Sequence, residues 1–123
     1  MTLKECIDFV DEIKPNAFTN EQKTQWLNEI EGRVQTEVFL WGMTNHTTYT
    51  YETNKNTELF VKPPYENIYY EYLSAMIDYA NGEYDKAQNT MAMFEEKYTP
   101  FKAWFINTYH PADYKGGYCV CAG

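Results

Sequence analysis

The chain reads as a mainly α-helical protein, a small helical bundle of two helical hairpins with a long extended or β-hairpin-like connection between them. Three observations predict this. Apolar residues recur at helical spacing over 1–41 and again over 65–111. The breaks inside those stretches, Pro15-Asn16 and Asn81-Gly82, are short, which brings successive helices back against each other. Over 42–64 the helical spacing lapses and turn-forming and β-prone residues take over. The expected organisation is a single helical domain over 1–111 (hairpin 1–41, extended arm 42–64, hairpin 65–111), followed by a flexible tail over 112–123.

The first helix is expected from Leu3 to Lys14. Thr2 and Glu5 have the spacing of a capping box, and Leu3, Cys6, Ile7, Val10 and Ile13 form one apolar stripe. Thr19 and Gln22 repeat the capping pattern. A second helix then runs to about Leu40, with Trp26, Leu27, Ile30, Val34 and Val38 inward and Glu29, Glu31, Arg33 and Glu37 on the other face. In the connection, Thr47-Thr48-Tyr49-Thr50-Tyr51 alternates small and large residues, Thr53-Asn54-Lys55-Asn56 is turn-rich, and Glu58-Leu59-Phe60-Val61 is β-prone. A connection of that length often carries function.

Pro63-Pro64 closes the extended run and opens a third helix, expected from Tyr65 to Ala80. Its inner face is Ile68, Tyr72, Leu73, Met76, Ile77 and Ala80, and Asn81-Gly82 stops it. A fourth helix from Glu83 uses Tyr84, Ala87, Met91, Phe94 and Tyr98. Thr99-Pro100 has the form of an N-cap and first helical residue, so a restart or kink is expected there. The last piece carries Phe101, Trp104, Phe105 and Tyr109 and ends at His110-Pro111.

Composition excludes several function classes. A net charge of −8 with Lys and Arg scattered speaks against gripping a phosphate backbone or an anionic membrane. No run approaches the roughly 20 apolar residues that span a bilayer. The N-terminal residues carry acids where an export signal needs an apolar run, and three cysteines, an odd count, fit reduced thiols in a cytoplasm. His110, Cys119 and Cys121 fall short of the two close ligand pairs of a structural zinc site. Cys6 lies on an apolar stripe and reads as a small core residue. Neither His46 nor His110 is placed as a base for a thiol nucleophile. The carboxylate pairs Asp11/Glu12, Glu29/Glu31 and Glu95/Glu96 point in different directions around their helices. Phosphate loops, serine elbows and zinc-protease motifs do not occur. The sequence thus predicts no catalytic residue, no cofactor and no metal.

The aromatic residues remain. Tyrosine combines a large apolar body with a polar tip and suits contacts between subunits. Tyr49, Tyr51, Leu59, Phe60, Tyr65, Tyr69, Tyr70 and Trp104 are the expected interface residues.

The segments Thr2-Leu3-Lys4-Glu5, Ile13-Lys14-Pro15-Asn16 and Trp26-Leu27-Asn28-Glu29-Ile30-Glu31 resemble the first helical hairpin of head–tail connector proteins of tailed bacteriophages and prophages. The stretches Pro64-Tyr65 to Tyr72-Leu73, Ile77 to Glu83, and Phe94 to His110 are similar to phage proteins of Gram-positive hosts. The resemblance covers roughly 2–110; the middle segment and the cysteine-bearing tail depart from it. It implies a structural protein that assembles as a ring with copies of itself, contacts the portal protein and a tail-side connector, and lets DNA pass as cargo. It also implies residence in the host cytoplasm before assembly and in the virion afterwards. An acidic channel lining repels DNA and lets it slide. Glu29, Glu37, Glu66 and Glu71 are the expected lumen acids. The competing reading is a small acidic phage or prophage inhibitor, a DNA mimic that binds a host nucleic-acid-binding protein.

Overall fold

The computed structural model describes residues 1–40 and 46–108. Within them the protein is mainly α-helical, with α1 at Leu3–Ile13, α2 at Asn20–Glu37, α3 at Tyr51–Asn54, α4 at Ile68–Ala80 and α5 at Tyr84–Thr108. The expected tail over 112–123, with Cys119 and Cys121, lies outside the described residues, as do Tyr109 and His110.

Capping chemistry sets the first two helices. The Thr2 hydroxyl accepts from the Glu5 N–H, and the Glu5 carboxylate accepts from the Thr2 N–H, which closes the capping box. Thr19 accepts from the Gln22 N–H at 3.1 Å and starts α2. Leu3, Cys6, Ile7 and Val10 are buried, but Ile13, the last residue of α1, is exposed. Along α2, Trp26, Leu27, Ile30, Val34 and Val38 are buried as expected. The helix stops at Glu37, three residues short of the expected end, and Leu40 then takes a φ of 59°.

The connection departs most from expectation. Among the described residues no strand occurs, and with it no β-hairpin; a short helix, α3, and one isolated bridge between Thr2 and Glu58 stand there. Nor is the segment a free arm. Tyr49, Leu59 and Val61 are buried in the common core. Backbone bonds tie it to the N-terminal residues: Leu3 N–H to the Thr57 carbonyl at 3.1 Å, Lys4 N–H to the Lys55 carbonyl at 2.9 Å, and Leu59 N–H to the Met1 carbonyl at 3.0 Å.

The residues from Pro63 to Asn67 form turns, so α4 opens at Ile68 rather than directly after the prolines. Tyr72 packs on Phe94, Lys97 bonds Glu71 at 2.7 Å, and Tyr65 meets Phe101 and Trp104, so α4 and α5 pair along their length. Gly82, at a φ of 80°, makes the turn between them. No restart occurs at Thr99-Pro100; α5 is one helix with Pro100 inside it. Phe94, Tyr98, Phe101 and Phe105 keep one buried face past Pro100, each such side chain adding roughly 1.5–3 kcal/mol on burial. Pro100 and Glu96, whose carbonyl loses its N–H partner to the proline, are both exposed residues. Tyr84 and Ala80, expected inward, are exposed at the α4–α5 turn.

Candidate functional site

Glu31 is the anchor of the structure, and sequence reasoning placed it on the solvent face. It is 0 % exposed. Its Oε2 accepts from the Tyr49 hydroxyl at 2.9 Å and from the Phe60 N–H at 3.1 Å, and its Oε1 accepts from the Tyr69 hydroxyl. The Tyr69 oxygen in turn accepts from the Val61 N–H at 2.8 Å. One carboxylate thereby joins α2, both ends of the connection and α4. Burial pushes the Glu31 carboxyl above the usual carboxylate range, against the pull of its three donors. Burial likewise pushes the Tyr49 and Tyr69 hydroxyls up, and the facing Glu31 charge adds to it.

Two carboxamides on the same side of α2 complete the anchor. Asn28 bonds both the N–H and the carbonyl of Tyr49, at 2.8 and 2.9 Å. Gln35 does the same to Thr47, at 2.6 and 3.0 Å. These side chains read backbone, so they satisfy an extended chain that has no strand beside it. Tyr49, Leu59 and Tyr69, expected as contact residues, are therefore corrected to core positions: each is buried within the chain.

The remaining expected contact residues fall into two groups. Tyr51 is half-buried on α3. Phe60, Tyr65, Tyr70 and Trp104 gather around the exposed Pro63-Pro64 turn. On one side, Phe60, Lys62, Pro63, Phe101, Trp104 and Phe105 line a groove, with the Tyr65 and Trp104 rings 5.3 Å apart. On the other, Met1, Glu5, Phe9, Pro63, Glu66 and Tyr70 line a second depression, with the Phe9 and Tyr70 rings 4.3 Å apart. Trp104 is 42 % exposed and Phe9 41 %, large values for rings of their size. Phe9 was not expected here. It lies off the α1 stripe, and a lone aromatic on a polar face is the signal that marks it.

Each expected lumen acid has a donor or cation within the chain. Glu29 accepts from the Tyr72 hydroxyl at 2.8 Å, and Glu71 from Lys97. Glu66 lies 3.6 Å from the Met1 ammonium. Glu37 accepts from Arg33 at 3.1 Å and from the Tyr98 hydroxyl at 3.0 Å. Arg33 also forks onto Glu95 and lies over the Tyr98 ring, 4.5 Å from its centre. Those Glu95 and Glu37 bonds hold the guanidinium pKa above its ordinary value despite partial burial. Glu29 is exposed; Glu37, Glu66 and Glu71 are half-buried.

No three His, Cys, Asp or Glu side chains among the described residues gather to hold a metal ion. Cys6 is buried and its thiol is pushed up by burial, which keeps it an unreactive core group. No helix among the described residues is long and apolar enough to cross a membrane. No family model, curated protein or solved structure matches this chain.

Proposed function

We propose that the chain is a structural virion protein, a head–tail connector that assembles as a ring between portal and tail with DNA passing through its centre. The observation that supports this reading is the exposed Pro63-Pro64 turn with a different aromatic patch on each side, Trp104 with Tyr65 and Phe60 on one and Phe9 with Tyr70 on the other. A closed ring needs a heterologous contact, in which one patch of a subunit meets a different patch of the next. Rigid aromatic rings supply such contacts with little loss of side-chain freedom. In this reading the chain is two helical hairpins, α1–α2 and α4–α5, and the connection between them is a strap fixed by Glu31. Glu29, the most open of the expected lumen acids, faces the channel, with Glu37, Glu66 and Glu71 behind it.

Trp104→Ala and Phe9→Ser test the reading by sedimentation velocity, alone and with the portal protein of the same genome. Each variant is expected to weaken assembly at least tenfold while the far-ultraviolet spectrum stays that of wild type. A wild-type chain that stays monomeric with portal present overturns the reading, as do variants that assemble normally.

The acidic-inhibitor reading has one observation in its favour. Lys4, Lys14, Lys23, Arg33 and Lys97 are engaged with carboxylates of their own chain, and the 18 acidic residues still outnumber the 10 Lys and Arg, for a net charge of −8. That protein would form a salt-sensitive one-to-one complex with a basic host factor.

A further inference from the structure

We propose that the contact between copies is steered by charge: the Lys62 ammonium of one copy enters the depression of the next, over the Phe9 and Tyr70 rings and between the Glu5 and Glu66 carboxylates. This deepens the ring reading and rests on it for a contact between unlike patches. Three observations carry it.

The first is that the two patches beside the Pro63-Pro64 turn differ in charge. Among the described residues, the groove on the Trp104 side is lined by one lysine, Lys62, and by no acid. The depression on the Phe9 side is lined by two acids, Glu5 and Glu66, and by no lysine or arginine. Patches of opposite sign attract, whereas either patch laid on its own kind sets like charges together. Charge thus selects the unlike pairing that a heterologous contact needs.

The second is that the carboxylates of the depression are only partly neutralised. The cation beside them, the Met1 ammonium, lies 2.7 Å from Glu58 and 3.6 Å from Glu66, so Glu58 holds it more closely. Glu5 accepts from the Thr2 N–H and forms no ion pair among the described residues. The Phe9 and Tyr70 rings, 4.3 Å apart, share that depression, and Phe9 is exposed. Aromatic faces beside carboxylates hold an ammonium twice over, through the ring quadrupole and through ion pairing.

The third is that Lys62 is the cation available to fill it. Lys4, Lys14, Lys23, Arg33 and Lys97 each lie within 2.9 Å of a carboxylate of their own chain. Lys55, Lys86 and Lys102 line neither patch. Lys62 lies 3.6 Å from Glu58 Oε2, the same oxygen that accepts from the Met1 ammonium, and its side chain is 59 % exposed. Pro63 and Pro64 follow it, and their fixed φ leaves this backbone little freedom to lose when a contact forms.

The test is charge reversal with rescue between chains. Lys62→Glu and Glu66→Lys are made in the full chain and followed by sedimentation velocity at low salt, alone and with the portal protein of the same genome. Each single variant places like charges at every contact and is expected to weaken assembly about tenfold or more. An equal mixture of the two is expected to recover to within about threefold of wild type, because each variant then meets an opposite charge on its neighbour. Repair within one chain cannot produce that recovery. Lys62→Gln is expected to fall between wild type and Lys62→Glu, and high salt to narrow the differences. A Lys62→Glu chain that assembles as wild type does overturns the proposal, whether or not Glu66→Lys folds. So does a mixture that fails to recover while both variants keep the far-ultraviolet spectrum of wild type. Either result leaves the ring reading standing. Charge-dependent complexes that stop at two chains support the contact and overturn the ring. A wild-type chain that stays single, with and without portal, overturns both.

Discussion

Replacing Glu31 perturbs the structure at its most constrained point. Glu31→Ala removes the acceptor of two buried hydroxyls, Tyr49 and Tyr69, and of the Phe60 N–H. A buried donor without an acceptor costs about 1–3 kcal/mol, and three are affected. Two effects offset part of this. The half-buried Phe60 side admits water to the vacated space, and the burial of a carboxylate is itself relieved. The net loss is about 2–4 kcal/mol, a fall in melting temperature of roughly 6–15 °C for a chain of this length. Glu31→Gln keeps the shape and one carbonyl acceptor, and a tyrosine hydroxyl can turn to accept from the new NH2, so its cost at acid pH is about 1 kcal/mol. The two variants separate through pH. The Glu31 carboxyl is raised in the folded protein relative to the unfolded chain, so the folded state binds the proton more tightly. Its contribution is fully present below the unfolded pKa and is lost as pH rises through the folded one. Glu31→Gln does not titrate, so it should improve relative to wild type as pH rises from about 4.5 upward. Urea unfolding of both proteins at several pH values measures this. A Gln variant that falls further behind wild type with rising pH would show that the three donors outweigh burial and that the reasoning is wrong.

Asn28→Ala should destabilise the chain by about 1–2 kcal/mol, because two backbone groups of Tyr49 lose their partner; hydrogen exchange should show faster exchange at Tyr49 and little change in α5. Thr2→Ala removes the first half of the capping box and should cost about 1 kcal/mol in thermal unfolding, with the loss centred on α1. Pro100→Ala restores an N–H inside α5 and should raise the melting temperature by several degrees, since the position is exposed and no packing is lost.

Local signals in the sequence carried most of the helical content. The Thr2/Glu5 and Thr19/Gln22 spacings located both helix starts, because capping is decided within four residues. The α2 stripe and the aromatic series from Phe94 to Phe105 were legible from periodicity. What escaped depends on partners far along the chain. Glu31 lies about 40° from Leu27 and about 60° from Val34 around a 3.6-residue wheel, so the position was recognisable as inward. Its charge argued the other way, and its partners at Tyr49, Phe60 and Tyr69 are set by tertiary packing alone. The same packing turned a β-prone segment into a strap: Asn28 and Gln35 satisfy its backbone, so no neighbouring strand is required. Of the restart or kink expected at Thr99-Pro100, the restart, a local rule of proline at a helix start, lost to the continuous buried face around it. Among the expected contact residues, Trp104, Tyr65, Tyr70 and Phe60 meet at one turn, whereas the Glu31 carboxylate holds the Tyr49 and Tyr69 hydroxyls inward and Leu59 packs into the apolar core.

Electron microscopy of the purified chain mixed with the portal protein of its own genome tests the central claim most directly. The account predicts closed collars of many copies with an open centre, seated on one end of the portal. A uniform population of single chains that leaves the portal bare would contradict it.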